Sequence, residues 1–93
     1  MAKGYWIAMI TMTDPEKYKE YTSRNGAVFD AFGAKFVVRG GTNEARSGTA
    51  FARHVVLEFD SYDKARACYD SDAYQALVPI RDAGADVTLA IVE

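Results

Sequence analysis

The chain has 93 residues, of which 49% are hydrophobic and 13% aromatic, and its formal net charge is −2. This length fits a single domain, residues 1–93, which buries only about 60–65% of the surface of the unfolded chain. The slight acidity argues against nucleic acid as a partner, because no basic field would attract phosphates. The lone cysteine, Cys68, excludes an internal disulfide.

The N-terminal region shows no signal-peptide pattern, and its apolar run, residues 5–12, is too short to cross a membrane. A membrane helix needs about 20 such residues. We therefore expect a cytoplasmic protein with no membrane partner.

The first predicted strand is Gly4–Met12, which is rich in aromatic and β-branched residues. A helix follows, because Thr13 or Asp14 can cap its start, Pro15 suits a first turn and Gly33 is placed to end it. Spacings of three and four predict a buried stripe on this helix. The stripe comprises Tyr18, Tyr21, Asn25, Val28 and Phe32.

Residues 34–39 form a short second predicted strand, and Arg53–Phe59 form a third. Between them, residues 40–52 are long for a hairpin loop and so either mobile or functional. In the third strand, Val55, Leu57 and Phe59 make one apolar face, whereas the other face is mixed.

A second helical block begins at the capping residue Ser61 and is interrupted at Asp70-Ser71-Asp72, a segment that is typical of a new helix cap. Its second piece contains Pro79 as an expected bend and ends at Gly84. Residues 86–92 form the last predicted strand.

The order β-α-β-β-α-β predicts an α+β fold, a ferredoxin-like subunit with an antiparallel sheet. Strands that are apolar on both faces cannot be covered by two helical blocks alone. We therefore predict a homodimer in which a second copy covers the remaining face, as in a dimeric α+β barrel.

Several segments, taken in order, resemble the domain-of-unknown-function 1330 family over nearly the whole chain. They are Gly4-Tyr5-Trp6-Ile7, Asp14-Pro15-Glu16 with Tyr18 and Tyr21, Val38-Arg39-Gly40-Gly41, Glu58-Phe59 before Ser61, Ala65, and Tyr69 through Tyr74 to Arg81. The resemblance implies a dimeric α+β barrel and no established activity.

Polar residues within otherwise apolar strands and helix faces are the candidates for a ligand site, because a charge there is costly unless it is paired. The ligand-binding candidates are Arg39, His54, Glu58, Tyr69, Tyr74 and Arg81, and Arg53 is a further polar residue of the same kind. Simple alternation places Arg39 on the face of Lys35, where it could meet Glu58 as a structural ion pair or as part of an anion or carbonyl site.

The remaining candidates have competing interpretations. His54 is the only histidine, so a metal site is not expected, and this residue is either a surface or interface residue or a general base. Tyr69 and Tyr74 either pack in the core or line a small pocket. No cofactor motif is present, because the glycines after Arg39 lack the Lys-Ser/Thr ending of a phosphate loop.

Two functions remain open at this level. One is a non-catalytic homodimeric domain that binds a small molecule or serves assembly. The other is a cofactor-independent enzyme, monooxygenase- or isomerase-like, acting on a small organic molecule in a pocket between sheet and helices. The enzyme hypothesis rests on analogy with other proteins that have this fold.

Overall fold

Four antiparallel strands form one sheet in the computed structural model, which describes residues 2–93. The elements are, in chain order, β1 (Gly4–Met12), α1 (Pro15–Ala31), β2 (Lys35–Arg39), β3 (Arg53–Phe59), α2 (Tyr62–Asp70), α3 (Asp72–Gln75), α4 (Val78–Gly84) and β4 (Ala85–Val92). The strand order across the sheet is β2-β3-β1-β4. The predicted α+β fold, with its antiparallel sheet, is confirmed.

The helix starts follow the predicted capping signals. The Asp14 carboxylate accepts a hydrogen bond from the Lys17 amide at 3.3 Å, and the Ser61 hydroxyl accepts one from the Lys64 amide at 3.1 Å. Ser71 accepts from the Tyr74 amide at 3.2 Å and so starts α3. These side chains satisfy amide groups that a helix leaves unpaired at its first turn.

Two local predictions for the helices need correction. Pro79 does not bend a continuous helix, because α3 ends at Gln75 and Pro79 lies in the first turn of α4. A first turn tolerates proline because its amide would be unpaired there in any case. On α1, Phe29 takes the deeply buried position that was predicted for Val28 and Phe32, which are only partly buried.

The two faces of the sheet have different environments. The inner face, which the helices cover, carries Trp6 and Leu57, exposed to only 2% and 1%. The outer face carries Ile7 and Val38, both 40% exposed, so large apolar side chains meet solvent there. Val56 also lies on the outer face, paired with Ile7 across β1 and β3. One chain therefore covers only half of its own sheet.

An irregularity in β2 reverses the predicted direction of Arg39. Lys35 pairs with Glu58 and Phe36 with Leu57, but the pairing then shifts by one residue at Val37, a β-bulge. Beyond the bulge, Arg39 pairs with Val55 and so joins the inner face. The expected contact between Arg39 and Glu58 is therefore wrong, because the two side chains lie on opposite faces.

The segment between β2 and β3, residues 40–52, contains no helix or strand and is largely exposed. Asn43 holds it together by donating its side-chain amide to the Gly41 and Ala52 carbonyls, at 3.3 and 3.1 Å. Among residues 2–93, no helix is both long and apolar enough to cross a membrane.

Candidate functional site

A cavity of about 340 Å³ lies between α1 and the inner face of the sheet. Its apolar wall includes Trp6, Phe29 and Leu89, which come from β1, α1 and β4. Tyr18, Tyr21 and Tyr74 add hydroxyl groups, and Lys19, Arg39, Arg53 and Arg81 add positive charge. An apolar hollow with a few directed polar groups is the usual form of a site for a small organic molecule.

The indole of Trp6 organises the wall of the cavity. Its Nε1 donates a hydrogen bond to the Ala65 carbonyl at 2.8 Å, which ties β1 to α2. Its ring centroid lies 5.4 Å from that of Phe29 and 4.9 Å from that of Tyr74, both in edge-to-face geometry. Such aromatic contacts add to the free energy of burial and restrict side-chain rotation. The wall is therefore held in place by residues from three helices and one strand.

A hydrogen-bonded chain of side chains runs along one side of the cavity. The Tyr21 and Tyr74 hydroxyls share a hydrogen bond of 2.8 Å, although 53 residues separate them in the sequence. Arg81 donates Nη1 to the Tyr74 hydroxyl at 3.1 Å and Nε to Asp82 Oδ1 at 3.0 Å. Every member of this buried chain has a partner, as buried polar groups require.

The electrostatics of this chain keep the tyrosines neutral and the arginine charged. Burial raises the pKa of Tyr21, and the neighbouring Tyr74 raises it further. Burial also raises the pKa of Tyr74, against the opposing effects of Tyr21 and Arg81. Burial works against the charge of Arg81, but Tyr74 and Asp82 outweigh it, so the net effect is a raised pKa. At neutral pH the chain therefore offers neutral hydroxyls beside a positive charge.

Three of the six predicted candidates line the cavity: Arg39, Tyr74 and Arg81. Tyr69 lies behind the wall, where its ring centroid is 5.5 Å from that of Trp6 and 5.2 Å from that of Tyr74. This position fits the interpretation of Tyr69 as a packing residue.

The other two predicted candidates, His54 and Glu58, lie on the outer face and do not reach the cavity. His54 pairs with Met9 of β1, and Glu58 pairs with Tyr5 of β1 and Lys35 of β2. The Tyr5 hydroxyl donates to Glu58 at 3.2 Å. Both residues therefore belong to the surface that we expect a second copy to cover.

Six polar residues of the cavity are not among the six predicted candidates: Tyr18, Lys19, Tyr21, Thr22, Asn25 and Arg53. The tyrosines and Asn25 were assigned to the buried stripe of α1, and the sequence gives no sign that this stripe faces a hollow. The sequence pattern does indicate Arg53 as a cavity residue, because strand alternation places it on the apolar face of Val55, Leu57 and Phe59. A positive charge at the end of such a face is typical of a site residue.

Metal binding finds no support within the described part of the chain. Residues 2–93 contain no group of three or more His, Cys, Asp or Glu side chains close enough to hold a metal ion. Cys68 is a buried free thiol. Burial raises the pKa of Cys68 to about 12, so the thiolate that metals and electrophiles require is scarce at neutral pH.

The fold recurs in solved structures of low sequence identity. A protein of unknown function from Rhodopseudomonas palustris has a TM-score of 0.79 at 18% identity, with 97% of this chain and 80% of that chain covered. A dimeric ferredoxin-like protein of unknown function from Thermobifida fusca has a TM-score of 0.64 at 17% identity, covering 97% and 89% of the two chains. At such identities the likeness concerns the fold alone.

A third similar structure has a described activity. SnoaB, a cofactor-independent oxygenase from Streptomyces nogalater, has a TM-score of 0.66 at 12% identity, covering all of this chain and 93% of that one. No curated protein matches the sequence. A family model described as a domain of unknown function (DUF1330) matches residues 3–93, nearly the whole chain. The protein therefore belongs to the DUF1330 family, an uncharacterised domain with a ferredoxin-like fold.

Proposed function

We propose that the protein is a homodimeric domain that binds a small organic molecule in the cavity between α1 and the sheet. The observation that carries this proposal is the cavity itself, about 340 Å³ of space beside Trp6, Phe29 and the Tyr21–Tyr74–Arg81 chain. A domain that served only assembly would gain stability by filling this space, because each missing contact costs packing energy.

The outer face supports the homodimer. It exposes Ile7 and Val38 at 40%, next to Val56 and Met9, in one continuous patch across three strands. Monomeric proteins of this size rarely expose such a patch, whereas the inner side of an obligate interface has this composition. The Thermobifida fusca protein of the same fold is described as dimeric, which agrees with this assignment.

Cytoplasmic location and the absence of a nucleic-acid partner form part of the same proposal. The buried free thiol of Cys68 suits a reducing compartment, and the net charge of −2 does not favour phosphate backbones.

A neutral fluorescent probe, N-phenylnaphthylamine, tests the cavity. Its two aromatic ring systems match the apolar wall, and its emission rises when it leaves water. We expect saturable binding to the wild type and a loss of affinity of at least about tenfold in Ala8→Phe, whose ring would fill the cavity.

The matched control is Ala67→Phe, which adds the same ring on the exposed side of α2. It should bind the probe like the wild type. Equal binding by Ala8→Phe and the wild type, with both variants folded, would contradict a ligand site in this cavity.

A cofactor-independent enzyme is the second candidate. It is favoured by the buried Tyr74 hydroxyl, which is hydrogen-bonded to both Tyr21 and Arg81 and could stabilise negative charge on a substrate. The fold likeness to SnoaB, a cofactor-independent oxygenase, agrees with this candidate function.

Liquid chromatography with mass spectrometry separates binding from catalysis, because an oxidised product changes its mass and an isomerised product changes its retention time. Phenolic and enolic compounds that raise the melting temperature are incubated with the protein in air and recovered. Unchanged compounds would support a binding domain. A product formed by the wild type and not by Tyr74→Phe, a variant that keeps the ring and removes the hydroxyl, would instead establish an enzyme.

A further inference from the structure

The charge of the cavity is opposite in sign to that of the whole chain. Four cationic side chains line it, Lys19, Arg39, Arg53 and Arg81, and no aspartate or glutamate does. The chain as a whole has 13 acidic and 11 basic residues. When all the charged side chains that line an apolar cavity have the same sign, the electrostatic field is concentrated inside it, because the surrounding dielectric constant is low.

The arginines of the cavity differ in how they are paired. Arg81 is satisfied within the protein, because it donates to Asp82 at 3.0 Å and to Tyr74 at 3.1 Å. Arg39 and Arg53 have no carboxylate within 4.0 Å among residues 2–93. The Arg39 guanidinium lies 4.1 Å above the centre of the Phe36 ring, which orients its plane but leaves its charge unneutralised. Two positive charges therefore remain available to a ligand.

The Arg53 side chain is held in place despite having no acidic partner. Its Nε is buried and has no hydrogen-bond partner, an arrangement that costs free energy unless an acceptor arrives. Its guanidinium lies against Gly40, where a Cβ atom would come within 2.8 Å of Nη1. Gly40 also has a φ of 68°, which favours glycine. The turn after β2 thus leaves the space that Arg53 occupies.

Arg39 and Arg53 share one end of the inner face. Arg39 pairs with Val55, and Arg53 precedes Val55 by two residues on the same face of β3. On the opposite side of the hollow, burial raises the pKa of Tyr18, and the positive charge of Arg53 opposes that rise. The positive charge of Arg53 therefore acts on groups inside the cavity and on α1, as well as at the edge of the sheet.

We propose that the ligand is an organic anion whose carboxylate or other oxyanion is held by Arg53 and Arg39, with its apolar body against Trp6, Phe29 and Leu89. This inference rests on the proposed ligand-binding function and specifies its chemical class. Guanidinium groups bind oxyanions through paired hydrogen bonds, and the apolar surroundings strengthen that attraction.

Two probes that differ in one group test the proposal. Anilinonaphthalene sulfonate carries a sulfonate, and N-phenylnaphthylamine is the same scaffold without it. In Arg53→Gln, the affinity for the sulfonate should fall by at least about tenfold, while that for the neutral amine should change by less than about twofold. Arg39→Gln should show the same selectivity, so it tests the proposal independently if Arg53→Gln is unstable.

Arg66→Gln is the matched control, because it removes one positive charge from the exposed side of α2 and should leave both affinities unchanged. Equal effects of the cavity substitutions on both probes, or no effect on either, would overturn the anion assignment while leaving the cavity as a binding site. If neither probe responds to Ala8→Phe, the proposed function itself fails.

Discussion

Both faces of the sheet carry large apolar side chains, but the two faces depend on different elements to cover them. On the inner face, Leu57 is 1% exposed beneath the helices of its own chain, and the polar groups that reach that side are hydrogen-bonded or line the cavity. On the outer face, Ile7 is 40% exposed beside Val56 and Met9. The difference shows that hydrophobic content alone does not locate a core. What matters is which elements the chain provides to cover each side.

The largest expected effect separates two neighbours on β3. Leu57→Ala should lower the free energy of unfolding by about 2–5 kcal/mol, because it removes packed atoms from the inner face. Val56→Ala, on the outer face, should cost about 1 kcal/mol or less, and that cost should depend on protein concentration if a second copy covers it. Chemical denaturation at two concentrations measures both. An equal loss of unfolding free energy in the two variants would contradict the assignment of Leu57 to the covered face and Val56 to the exposed face.

A charge on the outer face should break the dimer and spare the fold. We expect Ile7→Lys to weaken self-association by at least about thirtyfold, or roughly 2 kcal/mol, because an ammonium would be buried without a partner. Sedimentation velocity gives the mass, and circular dichroism reports the fold. Ala67→Lys, on an exposed helix position, should remain dimeric. A wild type that sediments at 10.3 kDa at micromolar concentration would contradict the dimer itself.

Tyrosine hydroxyls on the two sides of the sheet should contribute different free energies to stability. Tyr74→Phe removes an oxygen that is bonded to both Tyr21 and Arg81 in a buried setting, so we expect a loss of about 1–3 kcal/mol. Tyr5→Phe removes a single, partly buried hydrogen bond to Glu58 on the outer face and should cost less than about 1 kcal/mol. Urea denaturation of both variants makes the comparison, and a larger loss for Tyr5→Phe would reverse our assignment.

The smallest expected effect concerns Cys68 on the inner side. Burial raises its pKa from 9.0 to about 12, so the folded protein holds the thiol proton more tightly than the unfolded chain does. This contribution to stability should be fully present below pH 9.0 and should decline as the pH rises toward 12. Cys68→Ala should flatten the fall of stability over that range. An unchanged slope in this variant would show that the thiol does not contribute.

Much of the fold is predictable from the sequence because its signals are local. The caps at Asp14, Ser61 and Ser71 act on amides three residues away, so nearby residues indicate the starts of α1, α2 and α3, whereas α4 begins without a side-chain cap. Alternation likewise predicts the inner face of β3 correctly at Leu57 and Phe59.

The cavity is less predictable because it depends on distant partners. Tyr21 meets Tyr74 across 53 residues, and nothing near either tyrosine indicates that contact. The direction of Arg39 depends on a bulge that only the pairing with β3 reveals. Of the predicted ligand-binding candidates, Arg39, Tyr74 and Arg81 line the cavity, whereas Glu58 and His54 lie on the outer face of the sheet.

The extra residue in β2 also has a consequence for how this scaffold can diversify. With Val37 deleted, the strand would pair without the bulge, so Val38 would still face Val56 and Arg39 would still face Val55. A single-codon deletion at this point would thus keep the cation beside the cavity and the valine on the outer face of the sheet. Relatives that are one residue shorter at this point should therefore keep both the positive charge of the cavity and the apolar outer face.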